Sequence, residues 1–106
     1  MAAYIFEGVP GATTRQASTD TAALINPAVL VAADGSLAKG VFLQCDTNSI
    51  RIAFGGAVPV AGAGGLGVTL AAADTFYMKG YTAAKKMKIV SAASGVHGGL
   101  NITPEF

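Results

Sequence analysis

The amino-acid sequence predicts an all-β fold: a small antiparallel β-sandwich or jelly roll over residues 19–106, with an extended N-terminal arm over residues 1–18. Three observations predict it. Short runs with apolar side chains at every second position recur along the chain, the pattern of strands with one buried face. Gly-rich turns separate them at close spacing, as in sandwiches and barrels. No helix of useful length lies between the runs, so the crossovers of a parallel sheet are excluded.

Met1–Ser18 opens with three adjacent large apolar residues, Tyr4, Ile5 and Phe6. The stretch from Glu7 to Ser18 carries Gly8, Pro10, Gly11, Thr13 and Thr14, and reads as an arm. A strand on its own core buries only alternate residues, so three in a row call for cover from a neighbouring subunit. The other reading is a first edge strand at Ala3–Glu7. In Thr19–Ala33, Asp20 is placed to cap a short helix, which Pro27 would end. The β-branched content favours two short strands instead, Ala22–Ile25 and Val29–Ala32. Asp34-Gly35-Ser36 is a turn.

Val41–Phe54 is the central unit: two strands expected to form a hairpin around Asp46-Thr47-Asn48. Val41, Leu43 and Cys45 share one face of the first strand; Ile50, Ile52 and Phe54 share one face of the second. Asp bonds its own backbone in turns, and Asn tolerates the left-handed conformation that a three-residue loop needs. Ala57–Gly67 has four glycines, one proline and no periodicity, so it is a loop. It lacks the Lys-Ser or Lys-Thr and the following helix of a phosphate cradle. Strands follow at Val68–Leu70 (Val68 and Leu70 inward), Thr75–Lys79 (Phe76 and Met78 inward) and Lys86–Ser91 (Met87, Ile89 and Ser91 inward, Lys86 and Lys88 outward). Leu100–Thr103 closes the chain, with Pro104 marking an end or an edge.

The 106 residues make one domain, large enough to hold a core without staples. Apolar residues are 52% and charged residues 12% of the chain, about half the usual charged share of ~25%. A small monomer ordinarily covers its surface with more charge, so part of this surface is expected to be covered by other subunits. A net charge of +1 supplies no footprint for nucleic acid or a membrane. The N-terminus has no basic, apolar signal segment, and synthesis in a cytoplasm is expected.

Chemistry-bearing constellations are sparse. The single Cys45 cannot form an internal disulfide and reads as a buried, inert thiol. With His97 as the one histidine, no zinc ligand set can be assembled, and no cofactor is expected. Counting leaves a Ser-His-Asp arrangement open, but no serine stands in a nucleophile-elbow context, and for lack of any constellation no enzyme is expected. The carboxylates mostly occupy turns or chain ends, where Asp bonds backbone groups. Lys85, Lys86 and Lys88 form a basic cluster near Tyr77 and Tyr81. Most such clusters are solvated; Lys86 and Lys88 are the two placed to meet an acidic partner surface.

Phe42-Leu43-Gln44, Arg51, Gly67-Val68-Thr69-Leu70, Phe76-Tyr77, Lys86-Met87-Lys88-Ile89 and Leu100-Asn101-Ile102 follow one another in an order that resembles a group of small tailed-bacteriophage virion proteins. The resemblance spans about Lys39–Thr103 and departs at Ala57–Gly65 and throughout Met1–Ser18. It implies a structural virion part, made in the host cytoplasm. The leading expectation is a head decoration, or cement, protein that binds the major capsid protein and assembles as a homotrimer. A head–tail connector or tail component is the second. A sugar-binding jelly-roll module, with Tyr77 and Tyr81 as its platform, is an expectation of another class. Tyr4, Ile5, Phe6, Lys86 and Lys88 are the candidate interaction residues.

Overall fold

A computed structural model of the chain describes residues 6–106. The alternating runs form eight strands among the described residues: β1 (Thr14–Ala17), β2 (Ala23–Leu24), β3 (Gly40–Cys45), β4 (Ile50–Ala53), β5 (Val68–Leu70), β6 (Thr75–Lys79), β7 (Lys88–Ser91) and β8 (Gly99–Glu105). A 3-10 turn at Pro27–Leu30 and one short helix, α1 (Tyr81–Lys86), lie in the connections. One sheet has the order β1-β8-β3-β6 and the other β2-β7-β4-β5, and every pair is antiparallel. Strands β1 and β8, β2 and β7, β3 and β6, and β4 and β5 are thus nested pairs of one long hairpin, rolled until β8 meets β3 and β7 meets β4. This is the jelly-roll order of a two-sheet sandwich.

The central unit is not a hairpin. β3 and β4 belong to opposite sheets, and Asp46–Ser49 carries the chain between them. Hairpin partners and strands facing each other across a core both need one apolar face, so alternation does not separate the two cases. β3 already pairs with β8 along Gly40–Cys45 on one flank and with β6 along Gly40–Gln44 on the other, which leaves no edge for β4. The turn chemistry holds: Asn48 has a φ of 51°, in the left-handed region.

Inward faces follow the alternation. Val41, Leu43, Cys45, Ile50, Ile52, Met87, Ile89, Leu100 and Ile102 are buried in one core, with Phe54, Phe76 and Met78 packed against its margin. Phe54, just after β4, stacks on Phe76 of the opposite sheet, with centroids 5.7 Å apart. Arg51, Ala53 and Val90 are buried too, although they lie on the outer face. Val68 points the same way as Leu70 yet is half exposed, because β5 is an edge strand.

Four further expectations are corrected. Val29–Ala32 is not a strand: Pro27 opens the 3-10 turn and the Asn26 side chain accepts a hydrogen bond from the Ala28 N–H, 3.1 Å. Lys86 ends α1 rather than starting a strand. Pro104 lies inside β8, an interior strand. Its carbonyl accepts from Gly11 N at 2.8 Å, so its missing N–H also faces the N-terminal segment and the β3 ladder is unbroken. Of the expected arm, Thr14–Ala17 is β1, paired with Gly99–Ile102 of the same chain.

Connections β1–β2, β3–β4, β5–β6 and β7–β8 lie at one end of the sandwich. The turn after β2, the loop after β4 and helix α1 lie at the other, as the antiparallel registers require. Ile52→Ala opens a hole in the shared core, and we expect a loss of about 2–5 kcal/mol, read as a lower denaturant midpoint at unchanged slope.

Candidate functional site

Arg51 is the most unusual side chain of the sandwich. Alternation sends it outward from β4, and the loop between β4 and β5 folds back over it. Its Nη1 donates to the carbonyls of Val60 and of Gly62, the latter at 2.8 Å. The loop is closed by Val60 N to Leu66 O at 3.1 Å and tied to the far end by Gly62 N to Ala92 O at 2.9 Å. A side chain at Gly65 would collide with the Val60 carbonyl, and one at Gly67 with the Arg51 stem. The glycines that suggest a phosphate cradle in the sequence therefore let the backbone close on a cation of its own chain. The outer side of this flap carries Val58, Val60 and Leu66, each more than half exposed, and leads into exposed Val68.

At the crossover end, Ser18, Asp20, Ser91 and His97 meet. Ser18 Oγ lies 2.8 Å from Ser91 Oγ and accepts from Gly98 N at 2.9 Å. Ser91 Oγ lies 2.9 Å from His97 Nδ1, and Asp20 Oδ1, which accepts from Gly95 N, lies 3.9 Å from the same nitrogen. A hydrolytic relay needs the nucleophilic hydroxyl and the orienting carboxylate on opposite nitrogens of the histidine base; here Ser91 Oγ and Asp20 Oδ1 both approach Nδ1. Ser91 is fully buried. The group clamps the first crossover to the last, and Asn48 Nδ2, donating to the His97 carbonyl at 2.7 Å, adds the β3–β4 crossover. Cys45 lies beneath, its Sγ donating to the Asn48 carbonyl, and burial pushes its thiol up. Asp46 accepts from Arg15 Nε at 2.6 Å and from Nη2 at 3.3 Å; that guanidinium holds its carboxyl down at about 2.

Of the candidate interaction residues, Tyr4 and Ile5 lie outside the described residues. Phe6 lies edge-on to Phe42 of its own outer sheet face, centroids 6.0 Å apart. The chain then runs along β8: Gly8 N donates to Glu105 Oε2 at 2.7 Å, and Val9 and Phe106 exchange hydrogen bonds of 2.9 and 2.8 Å. Glu105, expected at a free chain end, is buried within β8 and also accepts from the Tyr77 hydroxyl. Tyr77 reaches it across Gly40, where a side chain would block the way. No sequence signal marks this contact, because its parts come from three distant segments.

Lys86 and Lys88 do come together, with Lys85. They rim a groove of about 580 Å³ floored by Leu24, Pro27 and Tyr81. Lys85 and Lys86 occupy the last turn of α1, and Lys85 Nζ sits 5.8 Å from the Tyr81 ring centroid. The sequence names the lysines and Tyr81 but not Leu24 or Pro27; Leu24 is half exposed because it stands opposite Lys88 on the outer face of its sheet. Tyr77 lines a different depression, with Lys39, Lys79, Glu7 and Glu105, so the two tyrosines do not form one platform. Among the described residues no group of three metal-ligating side chains is present.

Two outcomes follow from these bonds. Arg51→Ala strips a charged donor from the Val60 and Gly62 carbonyls, and we expect a loss of about 1.5–3 kcal/mol, with faster proteolytic cleavage between Val58 and Leu66. Asp46 has a lowered folded pKa, so its contribution is full above its unfolded value of about 3.9 and is lost as pH falls to about 2. Asp46→Asn is expected to lower the denaturant midpoint at neutral pH, and the gap to the parent is expected to close across that acid window. No family model matches the chain, and no curated protein or solved structure matches it significantly.

Proposed function

We propose that this chain is a structural virion protein, a decoration or cement protein that binds the major capsid protein of a phage head and stabilises it as a homotrimer. The apolar flap is the observation that carries the reading. A loop pinned to its own sheet by Arg51 presents Val58, Val60 and Leu66 to the outside, next to exposed Val68. Rigid presentation lowers the ordering cost of burying these side chains against another subunit. The low charged share of 12% points the same way, and the ordered strand motifs that resemble small phage virion proteins support the setting. Jelly rolls occur in capsid and in lectin domains alike, so the fold favours neither class by itself. Tyr4 and Ile5 are proposed to add contacts to a neighbouring subunit or the capsid floor, beyond the segment that β8 holds.

The test is to locate the protein in intact particles. Density over the whole head lattice is the expected result, with light scattering of the isolated protein giving a trimer. Density at one vertex would favour the connector or tail reading. Absence from particles would overturn the proposal.

A further inference from the structure

The lysine-rimmed groove has a charge that this chain does not balance. The six carboxylates are Glu7, Asp20, Asp34, Asp46, Asp74 and Glu105. Asp20 accepts from Gly95 N, Asp34 from Ser36 N, Asp74 from Ala71 N, Asp46 from Arg15, and Glu105 is buried. Glu7 belongs to the depression with Lys39 and Lys79. No carboxylate lines the groove. Lys85, Lys86 and Lys88 thus make three ammonium groups around an apolar floor, without an acidic partner among the described residues.

We infer that this groove docks a short acidic-apolar segment of a different protein, its apolar side chains on Leu24, Pro27 and Tyr81 and its carboxylates on the three lysines. A second copy is a poor occupant, because its carboxylates are dispersed and already engaged. Strand addition is blocked: Gln16 donates to the Leu24 carbonyl at 3.0 Å and accepts from Asn26 N at 2.9 Å, so its amide caps the edge of β2. Recognition must run through side chains. Nucleic acid needs a basic track with stacking rings, and here one ring, Tyr81, is overlain by Lys85. A polybasic membrane site uses a longer run of basic residues.

The experiment is fluorescence anisotropy on the full chain with a short labelled peptide of interspersed Glu and Leu, its Gln-for-Glu analogue, anionic vesicles and a single-stranded oligonucleotide. The acidic peptide is expected to bind, the Gln analogue about tenfold more weakly, and binding should weaken with salt. Lys86→Ser and Lys88→Ser should each lower affinity about two- to fivefold. Leu24→Ser should lower it in a salt-independent way, and Lys79→Ser, in the other depression, should leave it unchanged. Thermal unfolding of each variant, expected to match the parent, confirms that the comparison is between folded proteins. Equal binding of the Gln analogue, equal loss in Lys79→Ser, or tighter binding of vesicles or oligonucleotide would each overturn the inference. The assay contains no particle, so its result is independent of where the protein resides.

Discussion

The pairing of β8 with β3 is the constraint on which the rest of the molecule depends. It joins Leu100 to Cys45 and Glu105 to Gly40, setting the last strand of the chain beside a central one. Once that ladder exists, β6 takes the other side of β3 and β1 the other side of β8. β7 and β4, the neighbouring strands in the chain, are left to pair in the opposite sheet. The apolar faces of the two sheets then meet in one core. Backbone hydrogen bonds fix the register, and a shift of β8 by one residue would turn its Leu100 and Ile102 out to solvent.

Rolling a long hairpin brings all its sheet-to-sheet crossings to the same places. At one end, polar side chains do the joining: Ser18, Ser91, His97 and Asn48 tie three crossings together through hydrogen bonds that leave no described buried side-chain nitrogen or oxygen without a partner. The other end holds the groove, between the turn after β2 and helix α1. The difference matters for function. The first end consumes its own polar groups, whereas the second leaves three ammonium groups and an apolar floor turned outward.

Arg51 shows how one residue turns an irregular loop into a surface. The loop between β4 and β5 has no repeating pattern to hold it in a sheet, and its backbone carbonyls need donors where it folds over Arg51. The guanidinium supplies them from beneath, with Nη1 donating to both the Val60 and the Gly62 carbonyl. Glycine at positions 65 and 67 lets the backbone come close enough. The apolar side chains of the loop, having no place in the core, face outward.

Alternation in the sequence was enough to determine the class of fold, most strand positions and the inward residues of β3, β4, β6, β7 and β8, because the period-two pattern is a local property of each strand. Lys85, Lys86 and Lys88 were legible as a cluster for the same reason: they are neighbours in the chain. Only the tertiary structure decided that β3 and β4 face each other across the core rather than lie side by side, since both arrangements want the same alternation and the same turn residues. It also decided that Arg51 and Glu105 are buried, because their partners come from a loop and a terminal segment that carry no periodic signal. Part of the floor beneath the lysines was hidden likewise: Leu24 and Pro27 come beside Tyr81 because β2 pairs with β7, which sets Leu24 opposite Lys88, and spacing along the chain does not encode contacts between segments that far apart.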